Sequence, residues 1–205
     1  MNNLTHDLIK QRVSTTFYDR ERTLDQADIT ALIDLATRAP SAYNMQNWSF
    51  IVVQSEEAKQ RLLPISYGQQ KVVDAAATII VCGRLDGHTR LLDKLQPALQ
   101  QGKVQEEVAR KWADVAHQNY HDQAQRQRDE AIRSASLAAM TLMLAAQAQG
   151  LATGPMIGFD ADALAREFEL DEHEVPAMLI TVGYASEGNW SQKPRVDVQS
   201  VLRFI

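Results

Sequence analysis

The sequence predicts an α+β protein. Three short apolar runs, Trp48–Val53, Ala77–Gly83 and Val175–Tyr184, carry the strand signal. They are separated by stretches whose apolar residues return every three or four positions, the spacing of one helix face. The run 129–149 adds a third observation. Ala131, Ile132, Ala135, Leu137, Ala138, Ala139, Met140, Leu142, Met143, Leu144, Ala145 and Ala146 leave it almost no polar stripe, so this helix belongs inside the protein. A chain of 205 residues is long enough for one sizeable core, and residues 1–205 read as a single domain.

The elements follow in order. Leu4–Gln11 reads as a short helix, with Leu4, Leu8 and Ile9 on one face. Arg12–Asp19 is rich in β-branched and aromatic residues and reads as extended. Thr23-Leu24-Asp25 is a helix start, and Ile29, Leu32, Ile33, Leu35 and Ala36 repeat at helical spacing up to Pro40, whose ring cannot continue a helix. A polar loop leads into the first strand. Ser55 is placed to cap the next helix, which Pro64 should stop. A short helical turn over Gln69–Ala76 precedes the second strand.

Residues 86–128 are polar and glutamine-rich, yet Leu91, Leu92, Leu95 and Leu99, then Val104, Val108, Trp112 and Val115, keep helical spacing. They predict two amphipathic helices inserted between core elements, a candidate lid. Gly150 closes the long helix, 151–158 is a loop or short strand, and Asp160 caps a helix running to about Phe168. The polar tail 185–205 ends in an apolar patch, Val201–Ile205, that has to dock on its own chain or on a partner.

The totals exclude several classes. With 21 Lys and Arg against 26 Asp and Glu, the net charge of −5 argues against a nucleic-acid partner. One cysteine, Cys82, allows no internal disulfide, and its apolar run predicts a buried, inert thiol. The first residues lack an apolar signal region, and Leu137–Ala146 is too short to span a bilayer, so the expectation is a cytoplasmic protein with no membrane contact.

Three polar clusters could carry chemistry. Arg12 and Ser14, two apart in an extended segment, share a face and together suit a phosphate. Lys193 and Arg195 flank Pro194 in the same way. The loop 38–54 holds Ser41, Asn44 and Gln46 between a helix end and a strand, where they could serve a ligand or simply cap and turn the chain. His117 and His121 are four apart on the polar insertion without a matching Glu motif, so they predict two solvated histidines and no metal. No GxSxG, P-loop or GxGxxG is present, and Gly154–Gly158 is too short for a dinucleotide fingerprint.

Taken in chain order, these motifs resemble those of the nitroreductase family, the FMN-dependent NAD(P)H oxidoreductases. Arg12-Val13-Ser14 ahead of Phe17-Tyr18 is similar to its opening Arg-x-Ser. Ala39-Pro40-Ser41-Ala42-Tyr43-Asn44-Met45-Gln46-Asn47-Trp48 matches Ala-Pro-Ser-x-x-Asn-x-Gln-x-Trp at every fixed position. Gly154–Asp160 matches its glycine segment before Gly-Phe-Asp, and Lys193 with Arg195 its late Lys-x-Arg. The resemblance implies a nitroreductase-like fold: a small, mainly antiparallel sheet flanked by helices, built as a homodimer whose C-terminal tail crosses to the partner. It implies FMN as cofactor, NADH or NADPH as electron donor, and ping-pong hydride transfer to a nitroaromatic, quinone or similar small electrophile. A specialised enone or aldehyde reductase, or an FMN-storage or redox-sensing protein, stays open beside it.

The resemblance also implies roles. Arg12, Val13, Ser14, Lys193 and Arg195 would hold the FMN phosphate end. Pro40, Ser41, Ala42, Asn44 and Gln46 would contact the ring and ribityl chain. Ile157 and Gly158 would bring backbone amides near flavin N5, and Met156, Gln69 and Thr16 would also contact the cofactor. Tyr43, Trp112 and Tyr120 are acceptor-side candidates. Three departures stand out: Thr16 where the family often has Lys or Arg, Gly68 where an asparagine is common, and Asn47 where proline is usual. Lys71 is the expected replacement for the missing cation near flavin N1 and O2.

Overall fold

The computed structural model describes residues 4–205. Among them the order is α1 (Leu4–Gln11), α2 (Gln26–Ala36), β1 (Trp48–Val53), α3 (Glu56–Ile65), α4 (Lys71–Asp74), β2 (Ala77–Arg84), α5 (Leu91–Gln100), α6 (Glu106–Tyr120), α7 (Ala124–Ala148), β3 (Ala152–Met156), α8 (Ala161–Glu167) and β4 (Glu174–Gly183). The four strands form one antiparallel sheet in the order β1-β2-β4-β3. The two strands with the strongest apolar runs are therefore central.

Alternation along the strands decides the layers. Ile79 and Val81 of β2, with Ile180 and Val182 of β4, face α7 (Ala135, Ala139, Leu142, Met143, Ala146) and α2 (Ile29, Leu32, Ala36). Ile80, Cys82 and Leu179 face the other way, against Leu62 of α3, Val72 of α4 and Leu164 of α8. With both faces covered, β2 reads as a continuous apolar run. Cys82 is fully buried, and burial pushes its thiol up to about 12.

α7 is long and apolar enough to cross a bilayer by length and composition. This corrects the expectation from Leu137–Ala146 alone, because alanines and other apolar residues continue the run on both sides of it, while the helix itself begins at Ala124 with two turns that are all Gln, Arg and acid except for that alanine. Its apolarity is explained by the sheet and α2 packed against it. The approach to β2 is very close: a Cβ on Gly83 would lie 2.3 Å from the Ala131 carbonyl oxygen.

Several caps match the sequence. The Asp25 side chain accepts from the Asp28 amide at 2.7 Å, Ser55 from Ala58 at 3.2 Å, and Asp160 from Asp162 and Ala163. Other boundaries moved. α2 stops at Ala36, four residues before Pro40, because Thr37–Ala39 turn with short-range backbone bonds. Pro64 does not stop α3 but lies in its last turn, and Tyr67 and Gly68 take the left-handed backbone that turns the chain. Arg12–Asp19 is extended but joins the sheet only through bridges from Ser14 to Thr153 and from Tyr18 to Ala185. The insertion forms the two expected helices, α5 and α6, around Leu91, Leu95, Ala109 and Ala116.

Gly83→Ala should force α7 off β2 and lower stability by about 1–3 kcal/mol, the usual cost of overpacking a tight core. Urea unfolding of the variant beside the parent chain measures it.

Candidate functional site

The motif residues gather at two places, on opposite edges of the sheet. At the β3 edge, the Thr15 amide donates to the Thr153 carbonyl at 2.9 Å, drawing Arg12–Thr16 along β3. Gly154 permits this, since a Cβ there would lie 2.5 Å from the Thr15 carbonyl oxygen. The Asn189 side chain accepts from the Thr16 and Phe17 amides (2.7 and 3.0 Å) and donates to the Phe17 carbonyl at 2.7 Å. Gln192 Nε2 donates to the Arg12 carbonyl at 2.9 Å, and its Oε1 accepts from Arg195 Nη2 at 3.1 Å. The Arg12–Ser14 segment and the Lys193–Arg195 segment, from the two ends of the chain, thus meet through one glutamine. Among the described residues, Arg12, Lys193 and Arg195 pair with no carboxylate.

The far end of β3 completes this half. Met156 is buried, while Ile157 is 81 % exposed. Outside the sheet ladder, neither the Ile157 nor the Gly158 amide donates a hydrogen bond among the described residues. Gln69 Nε2 holds the turn by donating to the Gly158 carbonyl at 2.8 Å and to Ser66 at 3.2 Å. Lys71 opens α4 two residues later. It is half-buried with no ion pair among the described residues, and burial lowers its pKa from the ordinary lysine range. Arg20 pairs with Asp74 of the same turn, tying the extended segment to α4. Exposed phosphate-type donors, free amides and an unpaired lysine therefore line one edge.

At the β1 edge stands the loop after Pro40. Ser41 Oγ accepts from the Gln46 amide at 2.9 Å and closes the loop. Inside it Tyr43, Asn44 and Gln46 have φ of 54°, 59° and 47°, a conformation that costs L-residues about 1–2 kcal/mol each. Such strain persists only where surroundings impose it. Here the Ala42 amide donates to buried Glu130 at 3.4 Å, and Tyr43 Oη accepts from Asn119 Nδ2 of α6 at 3.0 Å. Glu130 is itself held by Arg133 and, at 2.8 Å, by Ser134.

The acceptor-side candidates divide. Tyr43 and Tyr120 lie in the cluster under α5 and α6, and burial, then the Glu130 carboxylate, raises the Tyr120 phenol. Trp112 is 37 % exposed and stands outside that cluster. Asn47, the departure from proline, is buried with Oδ1 unpaired. His117 and His121 are exposed as expected, but buried His88 joins them, which spacing on the insertion alone did not reveal. Asn189 and Gln192 were also missed. They tie backbone to backbone, and nothing in a polar tail marks them out.

The two halves do not face each other within one chain. β2 and β4 separate β1 from β3, so three strand spacings, about 14 Å, lie between the loop and the Ile157 turn.

Comparison with known proteins agrees with the motif order. The family model described as the nitroreductase family matches residues 9–184. YodC of Bacillus subtilis, classed by name as an NAD(P)H nitroreductase, is 36 % identical over 181 residues, covering 88 % of this chain and 89 % of YodC. Among solved structures, YdfN of Bacillus subtilis superposes with a TM-score of 0.91 at 30 % identity, covering 98 % of both chains. A nitroreductase-class protein of Exiguobacterium sibiricum, solved in complex with FMN, gives 0.92 at 28 % identity, covering 98 % of this chain and 97 % of its own. The fold expected from the motifs is thus the fold found, and the chain belongs to the nitroreductase family.

Proposed function

We propose that the chain is an FMN-dependent oxidoreductase that passes a hydride from NADH or NADPH to a small electrophilic acceptor such as a nitroaromatic or quinone. One observation carries the reading: Gln192 ties the Arg12 backbone to the Lys193–Arg195 segment, so that residues from both chain ends whose cations have no carboxylate partner among the described residues lie on neighbouring stretches. A phosphate dianion is the natural counter-charge for such a set, and the Ser14 hydroxyl, exposed beside it, adds a donor. The donor set fits FMN, which the Exiguobacterium relative binds.

When bound, FMN supplies the hydride chemistry, so the protein's work is binding and positioning. The Ile157 and Gly158 amides give donors for flavin N5, held by Gln69. Half-buried Lys71 is the candidate charge for N1 and O2 in place of Thr16. The strained 41–46 loop at the far edge supports a dimeric reading, because a second copy's loop can close over a ring that the same chain's loop does not reach. The tail supports it too: Val196, Val201, Phe204 and Ile205 are at least 73 % exposed. We place these on the partner subunit and α5–α6 as a lid over the acceptor side, with Tyr43, Trp112 and Tyr120 beneath. A cytoplasmic location suits a nucleotide donor.

Three experiments test the reading. The purified chain should be yellow, and anaerobic mixing with NADH or NADPH should bleach its visible absorbance quickly, with colour returning on adding a quinone. A colourless protein that cannot be reconstituted with FMN overturns the proposal, and a yellow one that neither nucleotide bleaches supports storage instead. Lys71→Met should keep its FMN but show a lower two-electron potential and slower hydride uptake, and an unchanged potential removes Lys71 from the ring. Truncation after Gln192 removes Lys193, Arg195 and the apolar tip, and should yield a monomer that loses flavin on gel filtration with light scattering. A flavin-loaded dimer would refute the tail's role.

A further inference from the structure

Behind the β1-edge loop, next to Tyr120, three histidines from distant parts of the chain meet. His88 lies in the loop between β2 and α5. His117 is in the last turn of α6, and His121 caps its C-terminus. Each offers one ring nitrogen, and the three nitrogens lie within 4.8 Å of one another. The His117 and His121 rings stack with centroids 4.3 Å apart, and the His88 ring lies 6.0 and 6.4 Å from them. His88 is 7 % exposed, and its Nδ1 is buried without a well-formed hydrogen bond, the Leu85 backbone being its nearest polar neighbour. Buried polar groups are ordinarily paired, so an imidazole left this way beside two others asks for a ligand.

We propose that His88, His117 and His121 bind one divalent transition-metal ion of the Zn2+ type, which staples the end of α6 to the loop after β2. Neutral imidazole is a favoured ligand for Zn, Cu and Ni, and three histidines with one open position is a set that Zn2+ accepts. Zn–N bonds of about 2.0–2.1 Å in a tetrahedral site place the nitrogens about 3.3 Å apart. The spread of 4.8 Å closes by rotating the two exposed side chains of α6, with His88 left in its buried position. Asp122 lies 3.4 Å from His121 Nε2 and supplies a carboxylate of the kind that orients metal-bound histidines.

The position gives such an ion a structural consequence. Beside His88, Gly87 packs against the start of β1: a Cβ there would lie 2.6 Å from Asn47 Cβ and 3.5 Å from Met45 Sδ. Arg84 fixes the base of the same loop through two 2.9 Å bonds to Asp86. The metal would therefore lock the inserted helices onto the loop that carries Tyr43. This inference does not depend on the flavin reading.

The test uses the full chain as purified, with whatever flavin it carries, stripped with a chelator and titrated with Co2+. One equivalent per chain should bind with the intense visible bands of tetrahedral cobalt, and Zn2+ should displace it. His117→Gln, His121→Gln and His88→Asn should each weaken binding at least about tenfold. X-ray absorption at the zinc edge should count three imidazoles in the parent protein, which reads His88 directly should its variant not fold. Metal should slow amide exchange at 86–89 and 117–121. Absence of saturable binding, an undiminished affinity in folded His88→Asn, a count of two imidazoles, or exchange indifferent to metal would each overturn the proposal.

Discussion

The structure depends on how closely α7 lies on β2. Gly83 and the alanines of α7 remove the side chains that would hold helix and sheet apart. Contact at that range brings backbone and short side chains to crystal-like density, and a single methylene in the way would be felt. The opposite face of the same strands is filled by Leu62, Val72 and Leu164 from three short helices. With β2 and β4 sealed on both faces, the sheet has no free face for a ligand. Chemistry is left to the edge strands and to the segments leaving them.

Those segments behave as the constraint requires. At the β3 edge the chain lays an extended stretch, Arg12–Asp19, without making it a full strand. The Thr15 amide is satisfied by β3, while Ser14 faces out. The β1 edge carries a loop with three left-handed, non-glycine residues, a conformation paid for by Ser41, Glu130 and Asn119. Both are polar surfaces set by hydrogen bonds together with buried anchors, Tyr18 on one side and Met45 on the other. Their separation across two central strands means that a site using both would need a second copy to complete it.

Much of this was legible in sequence, for identifiable reasons. The three strong strands were visible because burial on one or both faces forces apolar runs. Caps at Asp25, Ser55 and Asp160 were visible because short polar side chains there have a fixed task. β3, Ala-Thr-Gly-Pro-Met, was ambiguous because glycine and proline there serve close approach instead of strand propensity. The start of α7 was missed because its first two turns carry no capping side chain and little apolar periodicity. The phosphate-type residues were readable only as an ordered set of motifs. The glutamine that joins them, Gln192, is invisible without the third dimension, and so is His88, whose partners lie about thirty positions away.

The tail closes the physical argument for association. Val196, Val201, Phe204 and Ile205 stand in solvent although the chain beneath offers a folded surface. Burying one such side chain is worth about 1.5–3 kcal/mol, so four together offset much of the cost of ordering the tip. Yet the tail is not loose at its root, because Asn189 and Gln192 tie it to the Arg12–Phe17 segment. A segment anchored at one end and apolar at the other is aimed outward. The anchor lies beside Arg12, so whatever covers the tip also fixes Lys193 and Arg195 next to it. Assembly and cofactor retention would then be coupled through a few residues of one strap.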